Sequence, residues 1–200
     1  MSAVDAAVEA IRAGRLAVIP TDTVYGLVTS PYSAAPVRRL YRAKGRDELQ
    51  PTALVAADLD LLLECIPELR GRAGTIARTL LPGAFTLVLP NPARRFSWLA
   101  GSNPEAIGVR VPKLAGLGGE VLVEVGVVAA TSANLPGAPD PRTLDEVPET
   151  IRVAAAALVD GGELEGTPST VIDFTGAEPV VLREGAASAA AALRVVGSVL

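Results

Sequence analysis

Thr21, Asp22, Thr23 and Tyr25 fall in the segment Pro20–Leu27, directly after the apolar run Leu16–Ile19. Two hydroxyls, a carboxylate and a phenol in that place could bind and orient a polar ligand, because open α/β sheets hold their ligands outside strand ends. Proline has no backbone donor and a fixed φ, so Pro20 predicts the end of the preceding ladder. The same residues also allow an ordinary turn, with Thr21 and Asp22 bonding their own backbone.

Five further clusters share this character. In Lys44-Gly45-Arg46, two cations flank a glycine where a helix over 34–43 should end. They could clamp phosphate oxygens, with the glycine allowing close backbone approach, or simply offset the helix dipole. Alternation over Ile107–Val111 puts Gly108 and Arg110 on one face of a strand, leaving room for an anion, although an edge strand with a solvated arginine reads the same way. Ser132 and Asn134 follow an apolar strand, where hydroxyl and amide groups hold a phosphate or carboxylate, or act as a cap. Ser169 and Arg183 flank late strands, and each alone suits a structural or surface role. If these ends converge, the sheet presents a concave cavity lined with Thr, Ser, Asn, Lys and Arg, suited to an anionic ligand such as a nucleotide.

Val4, Ala7, Val8 and Ile11 follow helical spacing, with Gly14 as the stop. Strands are expected at 15–19, 52–57, 85–89, 107–111, 127–131, 170–174 and 179–182. Helices are expected at 34–43, 58–64, 68–81, 113–124 and 187–197, with 150–159 either helix or strand. Residues 135–148 hold four prolines and read as a surface loop and the best candidate for a lid. One α/β domain over 1–200 is expected. Its sheet should be mixed, since several strands are near neighbours in sequence.

Composition removes several chemistries. Half of the 200 residues are apolar and 20% are charged, which describes a folded chain. The longest apolar run, Val153–Val159, is too short for a bilayer. The start carries Asp5 and Glu9 without a basic stretch, so no signal peptide and a cytoplasmic protein are expected. There is no histidine. The commonest general base, the usual zinc ligand and every Ser-His pair are therefore missing. Cys65, beside Leu61, Leu62, Leu63 and Ile66, reads as a small buried hydrophobe, and a single cysteine makes no disulfide or Cys-rich metal site. A net charge of −4 argues against a basic nucleic-acid scaffold. Lys44 and Lys113 are the only lysines, so cation chemistry rests mostly on arginine forks. No glycine-rich dinucleotide or Walker-type loop occurs.

The segments Pro20–Leu27, Lys44–Arg46 followed by Pro51, Pro82–Leu89, Gly108–Pro112, Thr131–Gly137, Pro168–Asp173 and Leu182–Gly185 span nearly the whole chain. In this order they resemble the YrdC family of threonylcarbamoyl-AMP synthases. The resemblance implies an α/β fold with a twisted mixed, largely antiparallel sheet, flanking helices and a basic concave face. It implies condensation of L-threonine, bicarbonate and ATP to threonylcarbamoyl-AMP and pyrophosphate, with Mg²⁺ carried in on the ATP. The product would pass to a tRNA threonylcarbamoyl transferase complex, and weak RNA binding is conceivable alongside.

By motif, Lys44 and Arg46 would be catalytic triphosphate binders, and Gln50, Ser132, Asn134 and Arg183 further nucleotide contacts. Thr23, Tyr25, Arg110 and Ser169 would hold threonine, and no residue would ligate a resident metal. Three positions depart from the pattern: Gln50 stands for a frequent Asn, Val55 for a histidine found in some members, and Leu81 for a frequent tryptophan. Such a reaction needs positioning and charge neutralisation more than proton transfer, so it does not require histidine. A YciO-like paralogue and a non-catalytic RNA-binding module are the alternatives. The intact Ser132-Ala133-Asn134 argues against the first, and net acidity with few aromatics against the second.

Overall fold

The computed structural model describes residues 2–113 and 115–200. Ser2 fixes the first helix with a capping box: its Oγ accepts the Asp5 N–H at 3.0 Å and the Asp5 carboxylate accepts the Ser2 N–H at 2.9 Å. The elements are α1 (Ala3–Arg12), β1 (Ala17–Pro20), β2 (Tyr25–Thr29), α2 (Ala34–Lys44), β3 (Ala53–Ala56), α3 (Leu59–Cys65), α4 (Gly71–Leu80) and β4 (Phe85–Pro90). They continue with β5 (Ala106–Arg110), α5 (Gly116–Val125), β6 (Val127–Ser132), α6 (Glu149–Ala154), β7 (Ala157–Leu158), β8 (Thr170–Asp173), β9 (Val180–Arg183) and α7 (Ala189–Val199). Among the described residues no helix is long and apolar enough to cross a membrane.

All nine strands join one sheet in the order β7-β1-β2-β6-β3-β5-β4-β8-β9. The pairs β7–β1, β3–β5 and β4–β8 are parallel and the other five are antiparallel. The mixed, mostly antiparallel sheet expected from the sequence is present. Two details differ. Pro20 does end β1, but the chain turns straight back as β2, an element the periodicity hid because Gly26 interrupts the alternation. The ambiguous stretch 150–159 is both things in turn, α6 and then β7, because Ala155 leaves the helix for extended backbone.

Register separates the two faces. Leu54 lies opposite Ala129 and Val109, and Leu87 opposite Val109 and Ile172; this face is buried under α2, α3, α4 and α7. Its β1–β2 end carries Val18, Tyr25 and Leu27 beneath Leu40 of α2 and Ile151 of α6. On the other face, α1 and α5 pack over Ala17, Ile19, Val28 and Val128. These two helices leave the β3, β5, β4 and β8 part of that face uncovered, and there the cavity forms.

Gly118 lets α5 sit this low. A Cβ at that position would lie 1.8 Å from the Pro20 carbonyl oxygen. Gly118→Ala should therefore lift α5 off the hairpin. Overpacking at about 1–3 kcal/mol outweighs the roughly 1 kcal/mol gained from helix propensity. A urea midpoint at or above that of the parent protein would show that the contact is not tight.

Candidate functional site

A cavity of about 470 Å³ opens on the uncovered face. Val55, Gly108, Arg110, Thr86, Val88 and Val171 form its floor, and the hairpin Pro20–Val24, the loop Ala100–Asn103, Pro112, Lys113 and the start of α5 rise around it. Glycine at 108 and valines elsewhere keep the floor shallow, so polar groups at its edges stand above it.

One edge is built by the end of α2. Gly45 takes the left-handed conformation (φ 65°) and its N–H closes on the Arg42 carbonyl, while the Arg46 N–H reaches that of Tyr41. A residue with a side chain would pay for this turn. It sends Lys44 and Arg46 towards the end of β6. Lys44 is buried and donates to the Ser132 carbonyl, to Ser132 Oγ at 3.3 Å and to Asn134 Oδ1 at 2.7 Å. Asn134 in turn donates to the Ala138 carbonyl at 2.6 Å. Arg46 donates to Gln50 Oε1 at 2.8 Å, Thr131 Oγ1 at 3.1 Å and the Pro51 carbonyl at 2.8 Å. Burial, then the charge of Arg46, pushes the Lys44 ammonium down to about 8, and burial lowers Arg46 as well. Two cations that burial disfavours, hydrogen-bonded to neutral acceptors and with Asp140 as a weaker counter-charge on Lys44, make a site that an anion would stabilise.

The sign of the Lys44 effect is open to measurement. Folded Lys44 releases its proton near pH 8 and the unfolded residue near 10.5, so between those values the unfolded chain binds more protons and this group's contribution to stability rises with pH. Affinity for an anion should do the opposite and fall as pH rises through about 8. Pyrophosphate titrated by calorimetry between pH 7 and 9.5 should bind progressively more weakly, and Lys44→Met should flatten that profile.

At the opposite edge, Arg110 closes β5. Its Nη2 donates to Asp22 Oδ1 and to Thr23 Oγ1 at 2.9 Å, and both side chains of the Arg110–Asp22 pair are only 11% exposed. The second Asp22 oxygen accepts the Lys113 N–H at 3.0 Å. Ser169 Oγ and Thr86 Oγ1 lie 2.8 Å apart, and Arg183 donates to the Ser169 carbonyl at 2.8 and 3.1 Å.

Of the residues singled out from the sequence, Arg46, Arg110, Ser132, Ser169 and Arg183 line the cavity. Thr23, Lys44, Gln50 and Asn134 stand behind those residues and hold them in place. Tyr25 does not share the pocket. Alternation along β2 turns it to the opposite face, where its hydroxyl donates to the Gly162 carbonyl at 2.8 Å and accepts the Gly161 N–H at 2.9 Å. The later part of the loop 135–148 is anchored on that same face. Leu144 and Val147 pack on Tyr25's face, and the Pro141 carbonyl accepts the Tyr25 N–H at 3.0 Å. Tyr25→Phe should cost about 1–3 kcal/mol of stability through the orphaned loop groups, with no change in ligand affinity. Unchanged denaturation with weakened ligand binding would return the ring to the site.

Sequence reasoning singled out Asp22 without giving it a role, and gave none to Thr86 or Thr131. Asp22 stood in plain view, but its partner lies 88 residues away. Thr86 reads as an ordinary strand residue, and nothing local marks it.

Fold and cavity together define an α/β protein with a cation-edged cavity on an open sheet face. A family model described as Sua5/YciO/YrdC, telomere recombination, matches residues 9–185. The chain belongs to the Sua5/YciO/YrdC family. It is 35% identical over 181 residues to the threonylcarbamoyl-AMP synthase of Pyrococcus abyssi, covering 88% of this chain and 52% of that one. The structure of P. abyssi Sua5 complexed with L-threonine superposes with a TM-score of 0.87 at 32% identity, over 97% of this chain and 57% of that chain. The present chain thus spans about half the length of this archaeal relative. Escherichia coli YciO superposes with a TM-score of 0.81 at 27% identity, over 92% and 90% of the two chains.

Proposed function

We propose that this protein is a threonylcarbamoyl-AMP synthase, joining L-threonine, bicarbonate and ATP into threonylcarbamoyl-AMP with release of pyrophosphate. The observation that carries this reading is one cavity with a paired-cation edge at Arg46 and Lys44 and a second, partly neutralised arginine at Arg110, within a chain similar to a threonine-bound Sua5. Threonylcarbamate forms from threonine and bicarbonate with loss of water. Its carbamate oxygen then attacks the α-phosphorus, and the bond to pyrophosphate breaks. Arg46, Lys44 and Arg183 offset the charge of the triphosphate, with Mg²⁺ arriving on the ATP, while Ser132 contacts the nucleotide with Asn134 bonded behind it. Arg110 and Ser169 hold the threonine part, with Thr23 bonded to Arg110 from behind. Positioning and charge supply the rate enhancement. The product, a reactive mixed anhydride, is passed to a tRNA threonylcarbamoyl transferase complex in the cytoplasm.

The test is pyrophosphate release by the purified protein supplied with ATP, bicarbonate and labelled threonine. Release that depends on both threonine and bicarbonate is expected. Release indifferent to threonine would overturn the substrate assignment, and tight RNA binding without turnover would favour a binding module.

A further inference from the structure

We infer that Asp22 is a positioning residue for amino-acid recognition, holding the Arg110 guanidinium in a single orientation and tying the segment around Lys113 to the cavity rim. This rests on the synthase reading above and names the residue that sets its amino-acid end. Asp22 touches three separate parts of the chain at once: the β1–β2 hairpin that carries it, Arg110 at the end of β5, and the Lys113 backbone before α5. Arg110 is the last residue of β5, so no continuing ladder fixes the chain beyond it.

The geometry leaves Arg110 incomplete. Asp22 and Thr23 both engage Nη2, whereas the buried Nε has no partner among the described residues. A buried guanidinium with an open donor calls for an acceptor, and a planar carboxylate matches its fork better than any other group. Asp22 also lowers the net charge at this edge. Arg46, Arg183 and Lys113 line the same cavity, and an unpaired Arg110 would be one more phosphate site among them. Paired with Asp22, it favours a singly charged carboxylate over a triphosphate, which is discrimination by an unfavourable charge as much as by a favourable contact.

Asp22→Asn separates these effects, because the amide still accepts the Lys113 N–H but carries no charge. In the pyrophosphate assay the threonine KM should rise about 10-fold or more, as expected for a misaligned binding group, while the ATP KM changes less than about 2-fold. The Arg110 Nε–H resonance in NMR spectra of the ligand-free protein should broaden or move. Asp22→Glu, which restores the charge, should recover part of the threonine KM. It also carries the comparison if the asparagine variant does not fold. An unchanged threonine KM, or equal increases in both KM values, overturns the proposal while leaving the synthase reading intact. A parent protein without threonine-dependent release overturns that reading and the proposal together.

Discussion

Arg46→Ala is expected to lower threonine-dependent pyrophosphate release by about 10²–10³-fold, the range for removing one preorganised charge-stabilising donor. Arg46 is well placed for such an effect. It lines the cavity, and Gln50, Thr131 and the Pro51 carbonyl hold its guanidinium at three points before any ligand arrives. No reorganisation is then needed as charge moves from the α-phosphorus to the leaving pyrophosphate. Lys44→Ala should cost about as much, for a different reason. Lys44 is buried behind Ser132 and bonded to Ser132 and Asn134, so a triphosphate must draw it out of that network or act through it. Removing it leaves the Asn134 Oδ1 acceptor with Ser132 alone and loosens the turn after β6. The two variants should therefore differ in binding. Arg46→Ala should mainly weaken nucleotide affinity, and Lys44→Ala should also shift the protein's thermal midpoint. Full activity in either variant, in a folded protein, would remove the cation edge from the reaction.

Arg110→Ala carries the largest expected loss of stability, about 3–5 kcal/mol, because it leaves a buried carboxylate without its ion partner. The pair lines the cavity with both side chains only 11% exposed, which separates it from the seven exposed or half-exposed ion pairs elsewhere in the described residues. Those surface pairs are worth about 0–1 kcal/mol each. Removing both charges in Asp22→Asn/Arg110→Met should recover much of the loss, since a neutral pair of similar volume has no desolvation cost to offset. Urea denaturation of the single and double variants decides this. If the double variant is as unstable as Arg110→Ala, packing and not the stranded charge explains the loss.

Most of the fold was legible because its elements are punctuated locally. Gly14 and Gly45 stop helices in the left-handed conformation, Pro90 closes β4, and alternation over 107–111 marks β5. Strand β2 was not legible. Tyr25 and Gly26 give no clean two-residue period, and the hydroxyls before them looked like a site instead of the turn that makes a hairpin. Both descriptions apply: Thr21 Oγ1 accepts the Val24 N–H at 3.2 Å and donates to the Val24 carbonyl at 2.7 Å, which closes the turn, while Asp22 and Thr23 reach Arg110. Local spacing also could not say which side of β2 faces the cavity. Tyr25 was assigned to the wrong face because only pairing with β1 and β6 sets the register. Five of the residues singled out from the sequence, Arg46, Arg110, Ser132, Ser169 and Arg183, line one cavity. What the sequence could not separate is the lining residue from the one supporting it, since that depends on which way a side chain turns after the backbone is placed.

The side-chain ties that link opposite parts of the cavity join distant stretches of chain. Lys44 meets Asn134 across 90 residues, Arg110 meets Asp22 across 88, Arg46 meets Thr131 across 85, and Thr86 meets Ser169 across 83. Each tie must overcome a large loop-closure entropy before it contributes anything. None of them can form in a partly folded chain in which only neighbouring elements have met. Binding competence therefore arrives late and all at once during folding, after the sheet has closed from β7 to β9. A local loosening at either end of the sheet should therefore weaken both edges of the site together.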